Sequence, residues 1–206
     1  MRKSTEQRRA EIATAALKIV GQHGVQGATM ARIAETVGIS GPALYKHYGS
    51  RSEILEAAMD LLLQRVIAWV DSATSPSALD RLRELGTQHA ATMASDYEGV
   101  VAPLFEFAAA GPRSHLSAQL ALRQQAVLQR FIDIVREGQQ QGSIREDIDV
   151  QTTAWRLMGL TWIENLAMLE GMDEFVSGGT SARILEGILR EIASREPTQS
   201  SATPLP

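Results

Sequence analysis

Between Ser40 and Glu53 the chain reads SGPALYKHYGSRSE, grouping two tyrosines, a lysine, a histidine and an arginine around a Gly-Pro pair. Phenolic hydroxyls and cations donate hydrogen bonds to anionic oxygens, which is the chemistry of contact with a phosphate backbone. Small residues such as Gly41, Pro42 and Ala43 allow close approach to base edges and apolar contact with a thymine methyl. If Leu44 points inward, steps of about 100° per residue return Tyr48 to the inner face and leave Pro42, Ala43, Tyr45 and Lys46 outside. The candidate DNA-contacting set is Thr29, Arg32, Ser40, Gly41, Pro42, Ala43, Tyr45, Lys46, His47 and Arg51. Within it, Thr29, Tyr45, His47 and Arg51 are expected at phosphates, with Arg51 in the first turn of the next helix. Arg2, Lys3, Arg8 and Arg9 supply a candidate basic arm, or else only a solvated face or a disordered start.

The elements that must position these groups are helices. Ser4 and Gln7 stand at capping-box spacing before Ile12, Ala16, Ile19 and Val20, with Gly24 as the stop. Thr29 is an N-cap for a short helix that buries Met30, Ile33, Ala34 and Val37 and stops at Gly38. Ser40 opens a third helix, with Pro42 in its first turn, where a missing N–H costs no helical bond. Ser50 and Glu53 open a fourth, which runs through Trp69 and breaks near Ser75 and Pro76. Longer helical spans follow at about 77–97, 100–110, 114–141, 150–171 and 180–195, with Asp149 as an N-cap. The second and third helices, joined through VGIS, form a helix-turn-helix. The expected fold is all-α, with about nine helices. It divides into a three-helix head at 1–50, a helical body at 51–195 and a disordered tail at 196–206.

Composition supports the division. The formal net charge of −4 over 206 residues conceals a split, because residues 1–55 hold eight Lys and Arg against four acids, +4, and leave −8 for the remainder. A basic head suits a polyanion. The absence of cysteine removes disulfides, thiolate metal sites and cysteine nucleophiles. No two histidines share helical ligand spacing, so no metal is expected, and no cofactor. The chain shows no G-x-S-x-G elbow, phosphate loop or paired His and carboxylate motif, so no enzyme is expected. Without a signal-peptide block or an apolar run of membrane-spanning length, a cytoplasmic protein with no membrane partner is expected.

The stretch ATMARIAETVGISGPALYKHYGSRSEIL resembles the tetracycline-repressor (TetR) family of bacterial transcriptional regulators in order, spacing and residue type over about residues 8–55. That resemblance implies an all-helical homodimer with a three-helix DNA-binding head and a fourth helix leading to a ligand-binding, dimerising body. It further implies release of double-stranded DNA when a small-molecule inducer binds. The inducer itself is not inherited, because the body matches only in architecture. A constitutive or architectural DNA-binding dimer is the rival reading.

A body of this kind needs a pocket and a partner surface. His89, Met93, Tyr97, Phe105, Phe107, Phe131, Trp155, Met158 and Trp162 cluster in the middle helices and could line a mainly apolar pocket for a small apolar or amphipathic effector, or simply form packed core. Glu106, Glu164 and Asn165 lie beside them as groups able to orient a polar atom. Trp162, Leu166, Leu169, Ile184, Leu185, Ile188, Leu189 and Ile192 form stripes that would pair with a second copy as a four-helix bundle, or else complete the core of one protomer.

Overall fold

The computed structural model of the chain describes residues 3–95, 97–110 and 115–194, with the side chains of 94, 95, 97–100 and 115 left aside. Arg2 and the expected tail therefore lie outside the described residues. Ten helices are described: α1 (Thr5–Gly27), α2 (Met30–Val37), α3 (Gly41–Tyr45), α4 (Arg51–Val70), α5 (Ala78–Ser95), α6 (Tyr97–Ala109), α7 (His115–Gln140), α8 (Val150–Leu169), α9 (Glu174–Ser177) and α10 (Thr180–Ile192). The expectation of about nine misses α9, a single turn with no side-chain cap and no buried residue, too short to carry a periodic pattern.

Local chemistry sets the head boundaries. The Ser4 hydroxyl accepts the Gln7 N–H at 3.1 Å, and the Gln7 side chain accepts the Ser4 N–H at 2.9 Å, closing a capping box. At Gly24 the backbone leaves helical geometry at φ 70° and ψ 171°, and one further turn carries α1 to Gly27. Thr29, Ser40 and Ser50 each cap the helix that follows by accepting the backbone N–H three residues on. Glu53 turns its carboxylate to the Gly49 N–H at 3.0 Å, one residue earlier than a capping box requires. Gly38 ends α2 in the left-handed conformation that admits the tight turn into α3.

Two hydrophobic clusters hold the molecule. The first joins Ile12, Leu17, Val20, Ile33, Leu44 and Tyr48 of the head to Ile54, Met59 and Leu62 of α4, and is completed by Phe107 of α6 and Leu120 of α7. The second joins Val70, Leu82, Leu85, Phe131, Val135, Leu157, Met158, Leu185, Ile188, Leu189 and Ile192 from α4, α5, α7, α8 and α10. α4 contributes Ile54 to Leu63 to one cluster and Val70 to the other, so a single helix runs from the head into the body. An isolated bridge between Ile144 and Ala193 ties the α7–α8 link to the end of α10.

Candidate functional site

The outward face of α3 has the composition that helical spacing predicts. Leu44 and Tyr48 are buried, whereas Pro42, Tyr45 and Lys46 are exposed and Gly41, Ala43 and His47 are half-buried. Tyr45 is 57% exposed, and neither it nor Lys46 has a hydrogen-bond or ion-pair partner among the described residues. Thr29, Arg32 and Ser40 are exposed beside them, although each is partly engaged: the two hydroxyls cap helices and the Arg32 guanidinium donates to the Gly27 carbonyl at 2.8 Å.

α3 is clamped from α1. The Tyr48 hydroxyl donates to the Arg9 carbonyl at 3.1 Å, and the Arg9 guanidinium lies 4.0 Å from the centre of the Tyr48 ring while donating to the His47 carbonyl. Burial pushes the Tyr48 phenol above its ordinary range. Arg9 thus serves the frame of the head. Lys3 and Arg8 both pair with Glu11, at 2.7 and 2.9 Å, and the Lys3 hydrogen bond holds the Glu11 carboxyl below the usual range. Three of the four cations proposed for an arm are therefore engaged, Lys3 and Arg8 on Glu11 of α1 and Arg9 at His47 and Tyr48. Arg51 also departs from expectation. Its half-buried guanidinium donates to the Ala28 carbonyl at 2.8 Å and to the Val25 carbonyl, bridging the α1–α2 link to α4 instead of facing outward to a phosphate.

The body contains a cavity of about 720 Å³. α4 and the turn that follows it supply Arg65, Val66, Ala68, Trp69 and Ser72; α5 supplies Gln88, His89, Ala91, Thr92 and Met93; α8 supplies Met158, Thr161, Trp162 and Asn165. Leu104, Gln124 and Val127 close it from α6 and α7. Of the residues named from sequence, His89, Met93, Met158, Trp162 and Asn165 are in this lining. Four others are placed elsewhere. Phe107 is fully buried in the head-side cluster, Phe131 packs behind Trp69 at 6.4 Å, Phe105 is half-buried outside the lining, and Trp155 is exposed. The Tyr97 side chain lies outside the described residues. Sequence reasoning missed Trp69, which it counted only on the apolar face of α4.

One polar joint borders the cavity. His89 Nδ1 lies 2.5 Å from Glu164 Oε2, and the Ser181 hydroxyl donates to the other oxygen of the same buried carboxylate. Trp69 tilts against the His89 ring at 5.2 Å. Glu106, by contrast, reaches back to the head, accepting the Val25 N–H at 3.1 Å.

Outside the cavity, α8 and α10 leave an apolar face uncovered within the protomer. Trp162, Leu166, Leu169 and Ile184 are exposed there, joined by Trp155, which meets Trp162 edge to face at 5.9 Å, and by Ile163 and Met172. The other half of the proposed stripe is corrected: Leu185, Ile188, Leu189 and Ile192 are buried in the body cluster, because α10 packs on α5 with Leu185 filling the space over Gly86. Among the described residues, no group of three or more His, Asp or Glu is placed to hold a metal, and no helix is long and apolar enough to cross a membrane.

A helix-turn-helix head whose second helix is clamped with its polar aromatic and cationic face outward, carried on an all-helical body, defines a DNA-binding transcriptional regulator. Residues 12–58 match the family described as bacterial regulatory proteins, tetR family. It is 26% identical over 171 residues to the HTH-type transcriptional repressor KstR2 of Mycolicibacterium smegmatis, covering 76% of this chain and 77% of that one. It is 23% identical over 193 residues to the HTH-type transcriptional repressor AcnR of Corynebacterium jeikeium, covering 94% and 85%. The fold is shared with FadR of Bacillus subtilis in complex with stearoyl-CoA, at a TM-score of 0.71 and 18% identity, covering 88% and 98%. These relatives are transcriptional regulators, not enzymes.

Proposed function

We propose that the protein is a ligand-responsive transcriptional repressor of the cytoplasm that binds a near-palindromic operator as a homodimer and is released by a small molecule. The observation that carries this reading is the path of α4: its N-cap, Ser50, lies five residues beyond Tyr45, and its residues Arg65, Val66 and Trp69 line the cavity. A ligand that shifts the wall of the cavity therefore pulls on the helix that begins at the edge of the head. That KstR2 and AcnR are transcriptional repressors and that FadR holds stearoyl-CoA supports the same reading.

In this reading Pro42, Ala43, Tyr45 and Lys46 enter the major groove, flanked by Thr29, Arg32, Ser40, Gly41 and His47. Two copies pair through the uncovered face of α8 and α10, which sets two recognition helices about one DNA turn apart. A rival constitutive dimer would have a filled body, and a cavity of about 720 Å³ argues against it.

The test is selection of genomic fragments by the purified protein, followed by titration of the recovered site with and without metabolites from the neighbouring genes. An effector that weakens operator binding by a coupling of about 1 to 3 kcal/mol supports the proposal. Operator affinity that stays constant at saturating bound ligand overturns it.

A further inference from the structure

From Arg51 onward the chain contains no lysine, so its permanent side-chain cations are arginines. Among the described residues of the body these arginines hold a carboxylate or, like Arg51, Arg183 and Arg190, donate to backbone carbonyls. Arg65 alone does neither. It is exposed and yet belongs to the lining of the cavity, so it marks where the cavity meets solvent.

Local sequence explains why it has no partner. Its helical neighbours three and four residues away are Leu61, Leu62, Ala68 and Trp69, with no acid among them. The acids farther along, Asp60 of α4 and Asp71 at its C-cap, are taken by Arg123 and Arg130 of α7 at 2.5 and 2.8 Å. The lining itself holds no carboxylate, and Glu164, which borders it, is buried and engaged by His89 and Ser181.

We infer that the ligand of this cavity is an amphipathic anion, an apolar body that fills the cavity and carries a carboxylate or phosphate received by Arg65 at its edge. The guanidinium fork matches either oxyanion with two parallel N–H···O bonds. An exposed cation on a long apolar stem stays hydrated until the ligand arrives, so the empty site loses nothing by holding it there. A cationic ligand meets the opposite situation, an uncompensated guanidinium and no acid in the lining to offset it. The inference rests on the reading of the cavity as an effector site.

Four probes that share a ten-carbon chain test it on the full-length protein: decanoate, decyl phosphate, decan-1-ol and decyltrimethylammonium. Trp69 and Trp162 line the cavity, so tryptophan fluorescence reports its occupancy. At least one anion is expected to bind about fivefold more tightly than the alcohol, and which anion binds better distinguishes carboxylate from phosphate. Added salt should weaken that anion and leave the alcohol unchanged. Arg65→Gln should abolish the preference while keeping the alcohol's affinity, and Arg65→Lys should retain part of it. If Arg65→Gln does not fold, the salt dependence and Arg65→Lys decide. Affinity of the alcohol or the cation equal to that of both anions, a preference that survives Arg65→Gln, or no binding by any probe overturns the inference. An anion that binds with the expected preference yet leaves operator affinity unchanged overturns the regulatory reading and leaves this one standing.

Discussion

His89 and Glu164 meet at 2.5 Å inside the body, and because Ser181 donates to the same carboxylate, α5, α8 and α10 converge on one buried side chain. The convergence lies where the cavity wall adjoins the helix pair that carries the uncovered apolar face. Glu164→Ala leaves two buried polar groups unpaired and is expected to lower stability by about 1 to 3 kcal/mol. Glu164→Gln, which keeps an acceptor, should cost less. Guanidinium unfolding checks the order, and equal midpoints for all three proteins would show that the carboxylate joins nothing.

Arg51→Ala is expected to weaken the head by about 1 to 3 kcal/mol through loss of its bonds to the Val25 and Ala28 carbonyls. The salt dependence of operator binding should keep its slope, because the guanidinium is taken up by these two backbone carbonyls. A slope reduced by about one would restore the phosphate role read from sequence.

Lys46→Ala and Tyr45→Phe should behave in the opposite way. Both side chains are exposed and free of partners among the described residues, so the unfolding midpoint should hold while operator affinity falls. For Lys46→Ala the salt slope should drop by about one phosphate contact. Unfolding of either variant would mean that the outward face has been misassigned.

Leu166→Glu places a charge on the uncovered face of α8, where Leu166 is 46% exposed. Sedimentation should show a folded monomer with little operator affinity. Ile188→Glu, aimed at a residue of the same predicted stripe that is buried in the body cluster, should unfold the chain instead. A dimeric, operator-binding Leu166→Glu protein would move the partner surface elsewhere.

Gly138→Ala reverses the usual benefit of alanine in a helix. A methyl there would lie 2.5 Å from Ile144 Cδ1 and 2.9 Å from the Ala78 Cβ. Overpacking costs about 1 to 3 kcal/mol, more than the helix propensity gain of about 1 kcal/mol. A raised thermal midpoint would count against this.

What sequence made legible follows from the range of the forces involved. The caps at Ser4, Thr29, Ser40 and Ser50 are bonds between residues three apart, so their spacing alone reveals them, and the inward turn of Leu44 and Tyr48 needs only helical geometry. Contacts distant in sequence were not legible. The stripe of Leu185, Ile188, Leu189 and Ile192 identifies an apolar face, but only the packing of α10 against α5 decides what covers it. Phe107 and Phe131 are apolar wherever they sit, so residue type cannot distinguish core from cavity wall. The positive charge of Arg51 and Arg9 is plain in the sequence, whereas the carbonyls and the ring that engage them come from other elements.

The head does not close its own core. Phe107 and Leu120 finish the cluster around Ile12, Ile33 and Leu44, and Glu106 grips α1 at Val25, directly after the kink at Gly24. Exchange of DNA-reading heads between regulators by cutting near residue 50 would therefore expose one apolar surface on the donated piece and another on the recipient. A working graft has to bring Leu104, Glu106, Phe107 and Leu120, or a body already shaped to replace them. Recombination among relatives would be filtered by the same requirement, so that operator choice and effector choice descend together.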